Sequence, residues 1–359
     1  MLRRLFLGAT VLAAAIVVVD AQIVQPHLPK AIVGEKAEEV ALKAEGCDKA
    51  CASLTSKFPE QVFLGKSGNF DLWDAKQDLA PACRAEPASA EDVRVVLEAV
   101  KEAQCHFAVK SGGHARFAGA SNAEGGVTID LVRLDEIRLS SDKKSVTIGA
   151  GNRWMEIYRA LEAEGLTVVG GRVADVGVGG LLLGGGISFF SGRHGLACDS
   201  ILSYEVVLPS GAIATASEDE RPDLFKALKG AGSSNFGIVT SFTLETISLP
   251  NKDGLWIDYC TYSWDKVPAL NKARTEWMTS GVEEDVDFGG FDIFVHVGIY
   301  NMTLAITNHI HTSHLSISEY PDIFKQYGDI ETLPDAAPKR IMPMSNITQE
   351  ITALNPHGL

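Results

Sequence analysis

The chain has 359 residues, of which 46% are hydrophobic and 22% are charged, and it contains 34 glycines and 14 prolines. This composition is typical of a globular protein with a sizeable core, and it excludes a collagen-like repeat, a disordered tail protein and a multi-span membrane protein. The formal net charge of −14 repels phosphate backbones and anionic membrane surfaces, so neither nucleic acid nor a membrane is expected as a partner. The length favours two domains.

The first residues have the pattern of a secretory signal. Arg3 and Arg4 precede a mainly apolar run over residues 5–19, and small residues follow it. A run of about fifteen residues is shorter than the ~20 needed to cross a bilayer, so a membrane anchor is the weaker interpretation. We therefore expect residues 1–21 to be a signal peptide and the protein to be secreted. In that case Asn301 and Asn346, which each begin an Asn-X-Thr triplet, become glycosylation acceptors.

The six cysteines agree with the oxidising environment of an exported protein. Cys47, Cys51 and Cys83 cluster near the mature N-terminus, and we expect one disulfide from Cys51, or from Cys47, to Cys83. Only Cys47 and Cys51 are a close pair, so a zinc site is not expected. The three isolated cysteines are expected to be buried free thiols. They are Cys105, Cys198 and Cys260.

The chain before residue 150 alternates helix and strand patterns. Residues 22–74 are a mainly polar N-terminal segment with a helical pattern over 37–54. Ser89, followed by Ala-Glu-Asp, marks a helix start, after which apolar residues recur at helical spacing. A short buried strand at 107–109 is predicted to end at Ser111-Gly112-Gly113. Strands are predicted next at 127–131 and 145–149, and a helix at 154–164.

The stretch 170–186 holds eight glycines in seventeen positions, a density that we interpret as too high for a regular helix or strand. Beyond it, a hairpin is predicted around Pro209-Ser210-Gly211. The elements predicted here are strands at 204–208 and 212–216, a helix at 223–228 and a strand at 238–246.

The pattern changes after Pro250, where glycines become rare. Strands at 293–298 and 303–309 are predicted to pair across Tyr300-Asn301, and a helix start follows at Ser345. We place the domain boundary between residues 248 and 249.

Two glycine-rich stretches point to a bound ligand. One is Lys110-Ser111-Gly112-Gly113-His114, and the other is residues 175–186. The second has Leu182 where a dinucleotide fingerprint needs its third glycine, and no Gly-Lys-Ser/Thr follows either stretch. Glycines lacking a Cβ let backbone N–H groups approach a ligand closely and form a concavity that holds an anion. An acidic protein that binds a pyrophosphate would use such backbone donors.

The set of motifs resembles a known family. The matching blocks, in chain order, are residues 107–114, 127–131, 177–186, 193–199, 205–207, 227–230 and 235–240. Together they resemble the FAD-binding domain of the vanillyl-alcohol oxidase / p-cresol methylhydroxylase (PCMH) superfamily, and among its members the secreted, fungal, berberine-bridge-enzyme-like oxidases. The resemblance is strong over residues 75–248. It implies an α+β chain with a two-subdomain PCMH-type FAD-binding domain at 75–248, followed by an incomplete α/β substrate domain with an antiparallel sheet at 249–359.

Carried over to this sequence, the resemblance implies that His114 is the attachment point of the flavin 8α-methyl group. A neutral imidazole nitrogen is a competent nucleophile for that role. Backbone contacts to the pyrophosphate would come from Lys110, Ser111, Gly112 and Gly113. The remaining cofactor-binding positions implied are Gly177, Gly179 and Gly180 along the flavin and ribityl chain, and Ile238 and Val239 at the other end of the cofactor.

The sequence departs from the family pattern in two places. Val173 stands where many members carry a cysteine that forms a second covalent link, so we expect FAD to be attached through His114 only, with Cys198 a core residue. Members also continue well beyond the equivalent of Asn355-Pro356 with a portion that supplies the catalytic base. The substrate domain is therefore expected to be truncated, and no catalytic residue is assigned.

The resemblance implies an FAD-dependent oxidoreductase that oxidises an alcohol-like carbon of a small organic molecule or sugar, with O2 reoxidising the flavin and yielding H2O2. The alternatives are a truncated, inactive flavin-binding relative and a dehydrogenase that uses another electron acceptor.

Other candidate sites carry less weight. His309 and His311 share one face of a predicted strand, and His314 follows, but no carboxylate or cysteine stands beside them in sequence, so a surface strand is favoured over a metal site. The acidic residues at 219–220 and 283–285 are interpreted as solvated loop charges. The serines lack a G-x-S-x-G elbow, which argues against a serine hydrolase.

Overall fold

The computed structural model describes residues 36–353, apart from residues 69, 231, 233–234, 281–284, 315 and 335–336, and it also describes residues 357 and 358. The predicted signal peptide, residues 1–21, and Asn355-Pro356 lie outside the described residues. The helices and strands form an α+β arrangement in which sheets are covered by helices, as predicted.

The first sheet has the strand order β1-β2-β4-β3. Its strands are β1 (Val62–Leu64), β2 (Cys83–Ala85), β3 (Phe107–Lys110) and β4 (Val127–Asp130). The pairs β2/β4 and β3/β4 are parallel and β1/β2 is antiparallel. The helices packed on this sheet are α1 (Lys36–Lys57) and α2 (Ala90–Glu102). The predicted N-terminal segment therefore contributes β1, which pairs with β2, and α1, which packs on the same sheet.

The predicted start of α2 is confirmed. The Ser89 Oγ accepts the Asp92 backbone N–H, and the apolar face formed by Val93, Val96 and Leu97 is buried. The N-cap satisfies one of the four backbone donors that a helix start leaves without a partner.

The second sheet is antiparallel, with the order β5-β6-β10-β8-β9. Its strands are β5 (Ile137–Leu139), β6 (Ser145–Gly149), β8 (Ile201–Val207), β9 (Ile213–Ser217) and β10 (Ile238–Glu245), and a separate pair is formed by β7 (Leu166–Thr167) and β11 (Ile247–Ser248). The hairpin predicted around Pro209-Ser210-Gly211 is confirmed, because β8 and β9 pair antiparallel on either side of it. The helices of this region are α3 (Trp154–Glu162), α4 (Val178–Leu183), α5 (Ser191–His194) and α6 (Pro222–Leu228).

One prediction about the glycine-rich stretch is wrong. Residues 170–186 are not free of regular structure, because Val178–Leu183 form the short helix α4. The helix forms because Val178 and Leu182 share a buried face, and burial of that face outweighs the low helix propensity of Gly179 and Gly180.

The third sheet is antiparallel, as predicted for the second domain, with the order β13-β14-β12-β15. Its strands are β12 (Leu255–Ser263), β13 (Phe288–Val297), β14 (Met302–His311) and β15 (Ala337–Met342). The predicted pairing across Tyr300-Asn301 is confirmed by the register of Val297 with Met302. The helices of this region are α7 (Val267–Ser280), a 3₁₀ helix (Asp322–Tyr327) and α8 (Met344–Ala353).

Alternate residues of the third sheet belong to two different cores. Ile257 and Ile310 pack into the large core shared with the first two sheets. Trp256 and Cys260 pack into a second core that is covered by α7 and the 3₁₀ helix Asp322–Tyr327. Because successive side chains of a strand point to opposite faces, one face of this sheet packs into the large core and the other into the second core.

The cysteine prediction is right in one part and wrong in another. Cys51 is bonded to Cys83, and Cys198 and Cys260 are buried free thiols, as expected. Cys105 is not a free thiol, because it is bonded to Cys47. Cys47 lies in α1, and Cys105 lies two residues before the start of β3. Packing of the helix on the sheet therefore brings together two residues that are 58 positions apart.

The surface strand expected for His309 and His311 is also wrong. Both side chains are buried, at 2% and 6% exposure. The His309 ring stacks on Phe324, with centroids 4.5 Å apart, and its Nε2 is 3.7 Å from Asp292 Oδ1. The His311 Nε2 is 2.8 Å from Asp285 Oδ2. The carboxylates are distant in sequence, so the strand pattern alone gave no indication of them.

Candidate cofactor-binding site

The first glycine-rich loop begins where β3 ends. β3 lies at the edge of the first sheet, and residues 111–114 leave it in a tight turn in which Gly113 has a φ of +69°. Only glycine adopts this left-handed conformation at little cost. The turn places Ser111, Gly112 and His114 beside the second loop.

The two loops contact each other main chain to main chain. A Cβ on Gly112 would lie 2.4 Å from the Gly177 nitrogen, and a Cβ on Gly177 would lie 2.3 Å from the Gly112 nitrogen. No other residue type fits at either position without moving backbone. The glycines that the sequence analysis assigned to a ligand therefore serve first to bring the two loops together.

Ser111 fixes this contact with two hydrogen bonds. Its hydroxyl donates to the Ala150 carbonyl at 2.6 Å, and its Oγ accepts the Gly179 N–H at 3.2 Å. Ala150 directly follows β6, so one side chain joins the first loop, the second loop and the second sheet. Gly180 has no atom within 4 Å of the position that a Cβ would take, so it borders open space.

The loops enclose a cavity of about 470 Å³. Nine of the ten residues predicted to bind the cofactor line it: Ser111, Gly112, Gly113, His114, Gly177, Gly179, Gly180, Ile238 and Val239. They come from the end of β3, from the region around α4 and from the start of β10. The fold thus brings together three segments that are more than 50 residues apart in sequence.

Lys110 does not line the cavity. Its side chain is buried, and its Nζ is 3.1 Å from Asp130 Oδ1 at the end of β4. Arg84 on β2 approaches the other oxygen of the same carboxylate at 3.5 Å. Lys110 therefore neutralises a buried carboxylate beneath the loop, and its side chain points away from the cavity.

A second cavity of about 660 Å³ continues from the first. The two share five lining residues, which are Val109, Phe117, Ala120, Gly237 and Ile238. The two cavities adjoin one another and are lined by residues of both the first and the second sheet, and we refer to the combined space as the channel. Among the described residues, no cysteine lines either cavity, and Cys198 lies outside the lining.

His114 is half-buried in the wall of the first cavity. Its ring stacks on Trp73, with centroids 4.1 Å apart and planes 9° from parallel. The Trp73 N–H also donates to the Gly113 carbonyl at 3.1 Å, which ties this tryptophan to the loop. The His114 Nε2 is buried and has no hydrogen-bond partner among the described residues. A buried polar atom without a partner is uncommon and needs an explanation.

The surroundings of His114 favour the neutral form of its ring. Burial is the main cause that lowers the pKa of the imidazole, and the nearby His357 and Arg153 lower it further, against the opposing effects of a backbone hydrogen bond and of Asp175. Arg153 is 2.6 Å from Asp71, and His357 bridges Asp71 and Asp175 at 3.1 and 3.2 Å. A neutral imidazole with a free nitrogen lone pair is the form that can act as a nucleophile.

Sequence reasoning missed two residues of this site. Trp73 lies in the segment assigned before the FAD-binding region, and no periodic pattern marks it. Phe117 lines both cavities with 69% of its side chain exposed. Its place three residues after His114 could have indicated it, because an aromatic residue beside a ligand loop often contacts the ligand.

Comparisons with known proteins agree with this geometry. Residues 81–217 match the family described as the FAD binding domain. The chain is 33% identical over 336 residues to the FAD-dependent monooxygenase FUP4 of Fusarium proliferatum, a match that covers 87% of this chain and 63% of that protein. The FAD-dependent monooxygenase tpcD of Cochliobolus heterostrophus is 35% identical over 80% of this chain and 55% of its own length. The chain thus spans between half and two thirds of these relatives.

Solved structures are similar as well. The xylooligosaccharide oxidase of Myceliophthora thermophila C1, solved with xylobiose, has a TM-score of 0.70 and 26% identity over 84% of this chain and 63% of its own. The 6-hydroxy-D-nicotine oxidase of Arthrobacter nicotinovorans has a TM-score of 0.70 and 25% identity over 82% of this chain and 63% of its own. Within the described residues, no helix has both the length and the apolar character needed to cross a membrane.

Proposed function

The chain belongs to the PCMH-type, berberine-bridge-enzyme-like family of FAD-binding proteins, and we propose that it is a secreted FAD-dependent oxidase that holds its flavin covalently through His114. The substrate is a small organic molecule or sugar with an alcohol-like carbon, and O2 is the electron acceptor. Oxidase activity itself is part of the proposal, because this chain spans only part of the length of its relatives.

One observation carries the proposal. Two glycine loops meet at Gly112 and Gly177, with main chain against main chain, and form the wall of a channel that also contains His114. The channel is lined mainly by backbone and apolar side chains, so it suits a dinucleotide without requiring cationic side chains from an acidic protein. The residues present therefore fit FAD.

Each residue has a distinct role in this arrangement. Ser111 holds the two loops together, and the glycines leave room for the cofactor at their surface. Trp73 stacks on the His114 ring and orients it, and burial lowers the pKa of the imidazole, which favours its neutral form. When bound, FAD accepts a hydride equivalent from the substrate and passes the electrons to an acceptor. We assign no residue of this chain as the catalytic base.

The choice of oxidase and of secretion has separate support. The two similar structures given above are both oxidases by name, which favours O2 as the acceptor. The basic and apolar pattern of residues 1–21 supports export. The two disulfides are of the kind that persists in an oxidising compartment.

A second candidate is a monooxygenase, because both relatives compared in sequence carry that name. An oxidase returns both oxygen atoms of O2 as H2O2, whereas a monooxygenase places one of them in the product. The two functions are therefore separated by counting H2O2 released per substrate consumed and by following ¹⁸O from ¹⁸O2 into the product.

The covalent link is tested on acid-precipitated protein. We expect the wild-type pellet to retain flavin absorbance and the His114→Ala pellet to lose it. The matched control is His296→Ala, which removes an exposed histidine hydrogen-bonded to Thr303 on the third sheet and is expected to leave the pellet coloured. A colourless wild-type pellet whose supernatant contains FAD would contradict the link alone. Protein that takes up no FAD even after reconstitution would contradict the proposed function.

A further inference from the structure

Arg172 is the one described arginine that is partly buried and has no acidic partner among the described residues. The other described arginines that are not exposed each form an ion pair with a carboxylate. They are Arg84, Arg94, Arg153, Arg274 and Arg340. Arg172 instead places its guanidinium carbon 5.1 Å from the centre of the Phe291 ring.

An arginine in this state is costly for the fold. A charge removed from water loses solvation free energy, and a carboxylate partner normally offsets that loss. Burial lowers the pKa of the Arg172 guanidinium, although not enough to neutralise an arginine. Contact with an aromatic ring recovers part of that loss and leaves the N–H donors of the guanidinium available.

The loop that carries Arg172 is held firmly between the FAD-binding region and α8. A Cβ on Gly171 would lie 2.5 Å from the indole of Trp154, so the backbone is pressed against α3. The Ala174 N–H donates to the Thr352 hydroxyl of α8 at 2.9 Å. Arg172 is thus presented to the third sheet from a fixed backbone, four residues before Val176, which lines the first cavity.

The sheet opposite Arg172 presents a row of three residues. Phe291, Asn308 and Tyr259 lie directly opposite one another on β13, β14 and β12. Directly opposed residues share a face, so this row lies on the same face as the Phe291 ring that Arg172 contacts, the face that packs against the large core.

The row contains a second polar group without a partner. Asn308 is 1% exposed, and its Oδ1 has no hydrogen-bond partner among the described residues. Tyr259 beside it is half-buried, which raises the pKa of its phenol. Arg172 and the row opposite it thus bring together a cation with no acidic partner among the described residues, an amide and two aromatic rings.

We propose that Arg172 recognises the substrate by binding an anionic oxygen, a carboxylate or a phenolate, of a small aromatic or otherwise unsaturated organic molecule. The planar guanidinium matches a carboxylate in bidentate fashion and stacks on a ring. Because the protein as a whole carries a net charge of −14, an anionic substrate needs such a local cation. This inference deepens the proposed function and rests on it.

Calorimetric titration of the FAD-loaded protein tests the inference independently of turnover. The carboxylate probe is benzoate, with neutral benzamide for comparison, and the phenolate probe is 4-nitrophenolate at pH 8.5, with 4-nitroanisole for comparison. We expect at least one anion to bind about tenfold or more tightly than its neutral counterpart, the range given by a hydrogen bond to a charged group. Arg172→Gln should abolish that preference while leaving binding of the neutral probe unchanged, and Arg172→Lys should keep part of it.

The matched control is Arg138→Gln, which removes an arginine whose side chain is 64% exposed on the second sheet and which should keep the full anion preference. Equal binding of the anionic and neutral probes by wild-type protein would overturn the inference. So would a preference that survives Arg172→Gln, or an Arg172→Gln protein with an altered flavin spectrum and unaltered anion binding, since Arg172 would then serve the cofactor. If Arg172→Gln does not fold, Arg172→Lys is the test: a reduced anion preference supports the inference, and an unchanged preference overturns it. The flavin absorbance of each preparation reports separately whether the proposed function holds.

Discussion

The glycine loops and the second core differ in where their polar groups find hydrogen-bond partners. At Gly112 and Gly177 the contact is made by main chain, and the space beside it is left open. In the second core, the buried carboxylate of Asp258 accepts the Tyr320 hydroxyl, and that of Asp292 accepts an N–H of Arg274. The first region presents hydrogen-bonding groups to a ligand, whereas the second pairs its carboxylates internally.

This difference determines what each region tolerates. Main-chain contacts at van der Waals distance cannot accept a single added methyl group, because backbone cannot rotate away. A buried ion pair accepts changes of shape more readily but fails when one partner loses its charge. The expected effects of substitution therefore differ in kind as well as in size.

The largest effect is expected at the contact between the loops. Gly112→Ala places a methyl group 2.4 Å from the Gly177 nitrogen and must push the two loops apart. We expect the free energy of unfolding to fall by about 1–3 kcal/mol, the range for overpacking, and the bound flavin to be lost. Chemical denaturation and flavin absorbance per mole of protein measure the two effects.

Gly298→Ala in the third sheet region is the control for this variant. Gly298 has no atom within 4 Å of the position that a Cβ would take and no left-handed backbone angle, so stability and flavin content should be unchanged. Wild-type flavin content in Gly112→Ala would show that the loops can separate without loss of the cofactor site, and the distinction between the two regions would fail.

Residues close in sequence to the glycine loops could be predicted, and residues that depend on packing could not. Ser111, Gly112 and His114 follow a strand, and their place at the end of that strand follows from the local pattern. The burial of His309 depends on Phe324, which lies on a 3₁₀ helix that strand alternation does not reveal. Alternation identifies the face of a strand and does not identify what covers it.

The same limit applies to Cys105 and Arg172. Cys105 looked isolated because its partner Cys47 is on a helix 58 positions earlier, and only the packing of α1 on the first sheet shows the pair. Arg172 looked like one charged residue within a glycine-rich stretch. Its distinguishing property, the lack of a carboxylate among the described residues around it, depends on every element that surrounds it and has no local signal.

An intermediate effect is expected in the second core. Asp292 has a side chain 6% exposed and lies 2.7 Å from Arg274 Nη1. Burial alone would raise the pKa of Asp292, but His309 and Arg274 outweigh it and hold the pKa below its usual value. Asp292→Asn should cost about 2 kcal/mol at pH 7, less than for a fully buried pair because Arg274 is partly exposed.

The pH dependence of this loss has a definite sign. Since the folded-state pKa of Asp292 is depressed, its contribution to stability is present above the unfolded value of about 3.9 and is lost as the pH falls through the folded value. The stability curves of wild type and Asp292→Asn should therefore converge as the pH falls below about 3.9 and through the folded-state pKa. Asp253→Asn, which alters an exposed carboxylate, is the control and should follow the wild type. A constant gap between wild type and Asp292→Asn would show that Asp292 acts through shape and not through charge.

The smallest effect is expected at a position that sequence alone identified. Ser89→Ala removes the acceptor for the Asp92 N–H at the start of α2, and an N-cap of this kind is worth about 1 kcal/mol. Ser89→Thr keeps the hydroxyl and should retain most of the stability. Urea denaturation monitored by circular dichroism measures the difference. Because neither Ser89 nor Asp92 lines either cavity, flavin content should be unaffected. A larger loss of stability than in Asp292→Asn would reverse the order, since the helix terminus, and not the buried charges, would then be the more sensitive of the two.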